Sequence, residues 1–390
     1  MKNSSEIAEE ILYALKIAIG DKSAPLHEPC FLGNEWRYVK DCLDTSYVSS
    51  IGKYVEEFEK RLSEYTGSPH VIAVVNGTAA LHISLLLAGV EPGDEVLVPA
   101  LTFIATANAV SYCGAIPHFV DSDYGTLGID ASRLRDYLKE SMEIRGGFCL
   151  NKKTKRIVRA VVPMHTFGHP VDINGLLAVA KDFNLRLIED AAEALGSTYY
   201  GQHVGTFGQS GILSFNGNKI ITTGGGGAIL TGNSELAKKA KHITTTAKLP
   251  HAWEYRHDEI GYNYRMPNLN AALGCAQLEQ LDAFILSKRS LHSIYSSAFF
   301  GIDAIELVTE LPSSRSNYWL QAILLKPEWI KLRELILSKT NAAGIMTRPA
   351  WVLLNKLTQY STCPSMDLEV SINLADRLIN IPSSANLTDL

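Results

Sequence analysis

The 390-residue chain reads as an α/β protein: a large domain with a mostly parallel, mixed sheet sandwiched by helices, followed by a smaller C-terminal α+β domain. Three observations predict this. Short β-branched runs alternate with helix-like stretches from about residue 68 to 232. Those runs are apolar on both faces, as strands are when helices cover a sheet on either side. The composition then changes after the helical stretch 263–299, and the length exceeds the roughly 100 to 250 residues of a usual single domain.

The strands are expected at "HVIAVV" (70–75), "EVLVP" (95–99), "IPHFVD" (116–121), "IVRAVVPM" (157–164), "LRLIED" (185–190), "GILSF" (211–215) and "GAILT" (227–231). Between them "TAALHISLLLAGV", "FIATANAVSYCG" and "INGLLAVAKDFN" carry apolar residues at helical spacing. "SMEIRGGFCLNKKTKR" (141–156) places Gly146 and Gly147 between two elements and reads as a hairpin or surface excursion. At the N-terminus Glu6, Glu9 and Glu10 interrupt the apolar residues, which predicts an amphipathic helix rather than a signal peptide. Residues 1–265 are assigned to this N-terminal segment and the large domain. Residues 266–390 hold a long helical linker started by Pro267 (263–299), a strand (317–325), a helix (328–344) and a closing helix and strand (371–382).

Composition narrows the function. With 46% hydrophobic and 20% charged residues the chain folds, and a net charge of -5 provides no basic face for nucleic acid or an anionic membrane. No run approaches the ~18 apolar residues of a membrane span. Six cysteines without a CxxC pair predict free thiols and a cytoplasmic protein. "HTFGH" (165–169) has metal-helix spacing, but Gly168 and Pro170 oppose a helix, so a loop and no metal are expected.

Three motifs remain. In "VVNGTAALHISLLLAG" (74–89) a strand turns tightly into a helix, whose first amides lack internal partners, so Gly77 and Thr78 either hold a phosphate or only cap the helix. "LIEDAAEALGS" (187–197) ends a strand on Glu189 and Asp190, at the sheet edge where open α/β sheets place ligands; a strand-end cap explains it equally well. "SFNGNKIITTGGGG" (214–227) sets Ser214 and Lys219 before four glycines without the spacing of a P-loop, and a solvated turn is its plain reading. In this order the three meet the needs of pyridoxal 5'-phosphate (PLP): a phosphate to anchor, a ring nitrogen whose proton a carboxylate holds, and an aldehyde that a lysine captures.

Over nearly its whole length the sequence resembles the DegT/DnrJ/EryC1/StrS family of sugar aminotransferases, through "NGTAALH", "GDEVLVPALTFIATANAV", "GAIPHFVD", "LIEDAAEALGS", "SFNGNK" and "GYNYRMPNLNAALGCAQLEQLD". The resemblance implies fold type I, with Lys219 as the aldehyde-capturing lysine, Asp190 as partner of the ring nitrogen and Phe103 stacked on the ring. It implies Gly77, Thr78 and Ser214 as phosphate ligands, and Asn263 as reaching the phosphate of a neighbouring subunit in a homodimer with shared sites. Glu193 stands where many members have His or Gln, beside the cofactor, and Gly225 where most have Glu. Thr102, His165, Asn216, Arg256, His257 and Arg348 are candidates for the substrate. "SFNGNKIITTGGGG" with "TRPAWVLLNKL" (347–357) looks most like the branch making 4-amino sugars for legionaminic acid or bacillosamine-type surface glycans. The implied reaction moves an amino group from L-glutamate to C4 of a UDP-linked 4-keto-6-deoxy sugar. A C3 or cyclitol aminotransferase and a PLP-binding regulator are the alternatives; Lys219 argues against the dehydratases of this fold, which carry histidine there.

Overall fold

The computed structural model describes residues 3–388. Its centre is a nine-stranded mixed sheet. Strands β1 (His70–Val74), β2 (Glu95–Pro99), β3 (Ile116–Val120), β4 (Met142–Arg145), β5 (Phe148–Asn151), β6 (Ile157–Val161) and β7 (Arg186–Asp190) come first. After a small hairpin of β8 (Thr198–Tyr199) and β9 (Gln202–His203), β10 (Ser210–Ser214) and β11 (Gly227–Thr231) complete it. The order is β1-β11-β10-β7-β6-β2-β3, parallel from β10 to β3, with antiparallel β1 and β11 at one edge and the β4–β5 hairpin attached through β6. All seven expected strands are present. Every residue of β2 and of β11 is buried, the pattern of strands covered on both faces. Gly146 (φ 60°) and Gly147 (φ 84°) make the β4–β5 turn, where left-handed backbone favours glycine.

Helices α1 (Ser4–Ile19), α2 (Glu35–Asp44) and α3 (Lys53–Thr66) precede the sheet. The expected amphipathic N-terminal helix is α1, opened by Asn3 and Glu6 as a reciprocal capping box. Helices α4 (Gly77–Leu87), α5 (Ile104–Tyr112), α6 (Ala131–Ser141), α7 (Ile173–Asp182) and α8 (Ser234–Thr244) accompany the strands. The long helical linker is two helices, α9 (Asn268–Leu278) and α10 (Leu281–Ala298). The break falls where each end is tied elsewhere: Glu279 accepts from Arg61 at 2.8 Å and Tyr38 at 2.7 Å, and Gln280 donates to Glu35 at 2.5 Å. Thus α9 packs on α2 and α3, while α10 turns toward a second core.

That second core joins α1 and α10 to α11 (Arg333–Ala342) and a four-stranded antiparallel sheet of β12 (Ile305–Leu307), β14 (Gln321–Leu325), β16 (Leu378–Ile381) and β15 (Arg348–Pro349). Ile11, Leu15, Tyr295, Ile323, Ile336 and Ile379 fill it. Strand β13 (Ser314–Arg315) pairs with β8 and ties the two layers together, and α12 (Glu369–Arg377) precedes β16. The expected strand 317–325 begins only at Gln321, because Tyr318 turns the chain at φ 47°. The six cysteines form no disulfide. Among the described residues no helix is long and apolar enough to cross a membrane.

The four glycines after Lys219 serve different ends. Gly224 has φ 78°. A Cβ at Gly226 would lie 2.2 Å from Thr223 Oγ1, and one at Gly227 2.5 Å from the backbone carbon of Asn76 at the mouth of α4. Gly225 meets nothing closer than the Val75 carbonyl at 3.9 Å. Gly227→Ala is therefore expected to lower stability by roughly 1–3 kcal/mol, the cost of overpacking against backbone that has no room to move. Gly225→Ala is expected to fold like the parent, and urea unfolding of both variants checks the contrast.

Candidate active site

At the carboxyl end of the parallel strands lies a cavity of about 400 Å³. Three segments of the large domain converge on it. The first is the start of α4, where Asn76 rather than Thr78 caps the helix by accepting from the Ala79 amide at 2.8 Å. This frees the Thr78 hydroxyl and leaves the first amides, with the positive end of the helix dipole, toward the cavity. Gly77 brings the helix so close to β10 that a Cβ there would stand 3.0 Å from Ser214 Cβ. Gly77, Thr78 and Ser214 thus form one cup.

The second segment is the end of β7. Asp190 is buried, its Oδ2 accepting from Thr106 Oγ1 at 2.7 Å and its Oδ1 from the Ala192 amide at 3.2 Å. Burial pushes its pKa up against those two bonds. A carboxylate that costly to desolvate fits a protonated ring nitrogen, since Lys219, the cation near it, is ion-paired with Glu193. Its neighbour Glu189 acts elsewhere, accepting from the amides of Gly205, Phe207 and Gly208 at 2.7, 2.7 and 2.8 Å and so holding the 205–208 loop.

The third is the loop after β10. Lys219 Nζ lies 3.3 Å from Glu193 Oε1 and 4.0 Å from the centroid of the Trp319 ring. Glu193 is 3% exposed, and its Oε2 accepts from the Phe167 amide at 2.9 Å. Burial raises its pKa to about 7, Lys219 opposing and Asp190 adding to the rise. Phe103, 49% exposed at the head of α5, offers its ring to the cavity, and Asn216 lies on the rim.

The other candidates are placed elsewhere. His165 is fully buried beneath the site, its Nε2 donating to Glu189 at 3.2 Å and its Nδ1 accepting from the Val171 amide at 3.2 Å, so neither nitrogen faces the cavity. Thr102 is buried as well, its hydroxyl 3.2 Å from that of Thr106, and supports Asp190 from behind. Arg348, exposed on β15, donates to Asn341 at 2.9 Å. Arg256 pairs with Glu254 at 2.5 Å, His257 bonds the Thr246 carbonyl at 2.7 Å, and Asn263 accepts from Arg265 at 3.0 Å; all three are exposed and outside this cavity. Two lining residues, Trp319 and Trp351, escape a reading of the sequence, since a tryptophan within an apolar run carries no signal of its own.

Comparison with known proteins decides the family. A model of the DegT/DnrJ/EryC1/StrS aminotransferase family matches residues 30–390. The chain belongs to this family. It is 38% identical over 370 residues to a GDP-perosamine synthase of Escherichia coli O157:H7, covering 94% of this chain and 95% of that protein. It is 36% identical over 358 residues to the GDP-perosamine synthase of Caulobacter vibrioides, covering 92% of each. Spr1654 from Streptococcus pneumoniae, solved in its PLP form, superposes with a TM-score of 0.84 at 26% identity, over 94% of this chain and 95% of that one. The protein is therefore a PLP-dependent sugar aminotransferase of fold type I.

Glu193 gives this aminotransferase a pH signature. An unfolded glutamate releases its proton near 4.5, whereas the folded protein keeps it up to about 7. Between these values the native state binds the extra proton, so stability falls as pH rises through that window. Glu193→Gln is expected to flatten this dependence, measured as urea midpoints from pH 4.5 to 7.5; an unchanged slope refutes it.

Proposed function

We propose that the protein moves an amino group from L-glutamate to C4 of a nucleotide-linked 4-keto-6-deoxy sugar. The observation that carries this reading is the convergence on one cavity of the α4 amides, the buried Asp190 and the boxed amine of Lys219. The cup of Gly77, Thr78 and Ser214 would anchor the cofactor phosphate, Phe103 would cover the ring, and Asp190 would keep the proton on its nitrogen. The cofactor supplies an electron sink and stores the amino group between the two half-reactions. Lys219 would hold the cofactor through its aldehyde and, when its amine is free, would carry a proton at Nζ to and from the carbon that bears the amino group, on the donor and on the sugar alike.

The two relatives named as GDP-perosamine synthases favour GDP as the carrier over the UDP expected from the sequence. Incubation with glutamate and either a GDP-linked or a UDP-linked 4-keto-6-deoxy sugar checks this. The GDP compound is expected to yield 2-oxoglutarate and amino sugar at least tenfold faster. A preference for UDP reverses the carrier assignment, and turnover of neither sinks the substrate class. Lys219→Ala is expected to abolish both turnover and the absorbance of lysine-bound cofactor.

We also infer a homodimer with shared sites. Trp253 and Tyr255 (each 80% exposed) and Ile260 (83%) cluster with Arg256, His257 and Asn263 on one segment. Apolar exposure of this kind marks an interface, and a second copy laid over it brings those polar groups to a neighbour's cavity. Light scattering is expected to give twice the chain mass, and a monomer at micromolar concentration overturns the arrangement.

A further inference from the structure

Trp319 belongs to the C-terminal part of the chain, yet it is bonded to both sides of the lysine. Its indole Nε1 donates to the carbonyl of Asn218, the residue before Lys219, at 2.8 Å. Its ring face carries Lys219 Nζ at 4.0 Å, and the residue is only 4% exposed. The backbone leading to it is fixed at unusual cost. Tyr318 takes φ 47°, a conformation non-glycine residues hold only when their surroundings impose it. Asn317 imposes it from one side: its Nδ2 donates to the carbonyls of Glu193 at 3.0 Å and Leu195 at 2.9 Å, while its Oδ1 accepts from the Trp319 amide at 2.8 Å. From the other side Phe167, itself at φ 55°, accepts from the Leu320 amide at 3.3 Å and donates to Glu193 Oε2 at 2.9 Å. Gly168, at φ 96°, leaves room for this contact, since a Cβ there would stand 1.9 Å from Asn317 Oδ1.

The bonds close a ring: Lys219 to Glu193, Glu193 to Asn317, Asn317 to Trp319, and Trp319 back to the lysine loop, with Phe167 bridging Glu193 to the next residue, Leu320. We propose that Trp319 is the positioning residue of Lys219, its indole N–H pinning the loop and its face holding the amine opposite Glu193, so that the lysine is presented to the cofactor aldehyde in a single conformation. Resting between the Trp319 face and Glu193 restricts the lysine's rotamers before it reacts, and ordering so long a side chain in advance is worth about a tenfold change in rate. An amine placed in advance need not be ordered when it reacts. The arrangement makes the lysine's aim depend on a side chain supplied by the C-terminal part of the chain.

The inference rests on Lys219 as the lysine that captures the cofactor, and the test separates the two. Full-length protein stripped of cofactor is mixed with pyridoxal 5'-phosphate, and capture, in which the amine nitrogen bonds to the aldehyde carbon and water leaves, is followed by absorbance. Trp319→Leu is expected to slow capture about tenfold, whereas Trp319→Phe, which keeps a face, stays within about threefold, with thermal midpoints of the two variants alike. Capture by Trp319→Leu at the parent rate, or equal slowing in both variants, overturns the proposal. If Trp319→Leu does not fold, Trp319→Tyr decides: a rate within threefold of the parent supports it, and a tenfold loss refutes it. Lys219→Ala is the control; if it captures cofactor as the parent does, the assignment of Lys219 is what fails.

Discussion

Two carboxylates and one amine share a nearly dry space at the end of the central sheet, and much of the molecule is arranged around that fact. Asp190 and Glu193 stand three residues apart on one short turn, both buried, and the charge of Asp190 adds to the cost of ionising Glu193. Lys219 at 3.3 Å pairs with only one of them, Glu193. A protonated ring nitrogen against Asp190 would supply a second cation. The charge pattern of the protein framework would thus match that of the cofactor, because an anion in a low-dielectric site is tolerated only beside a cation or donors.

Keeping that space dry and shaped needs support from several layers. Glu189 points away from the cavity and ties down the 205–208 loop with three backbone bonds. The Thr102 and Thr106 hydroxyls form a short chain behind Asp190 that fixes its orientation. The glycines at 226 and 227 let strand and loop approach within distances that a Cβ would forbid, and Gly77 makes the contact of α4 with Ser214 a tight one. Strained turns at Phe167 and Tyr318 bring the small domain to Lys219. Backbone strain of this kind survives only where the surrounding contacts outweigh it, and here they are bonds to Glu193 and to the lysine loop.

The candidates that fell outside the cavity did so for two reasons. His165 and Thr102 are adjacent to site residues in sequence, but the loops that carry them turn both side chains into the interior, where buried polar groups satisfy one another. Arg256, His257 and Asn263 lie on an exposed segment that does not line the cavity. Arg348 sits at the edge of the small sheet, while Trp351, three residues further on, lines the cavity.

The sequence by itself determined the alternation of strands and helices, the order of helix-start turn, acid and lysine, and the family, because periodicity and local turn chemistry are written in neighbouring residues. It also determined that Lys219 would be followed by glycines, though not which of them matter. Only the tertiary structure decided that Gly225 is dispensable to packing while Gly227 is not, that Glu193 rather than solvent meets the lysine, and that Trp319 covers it. Those outcomes depend on contacts between segments about 25 to 150 positions apart. Such contacts arise from how two cores meet, and nothing in the local pattern of either segment encodes them.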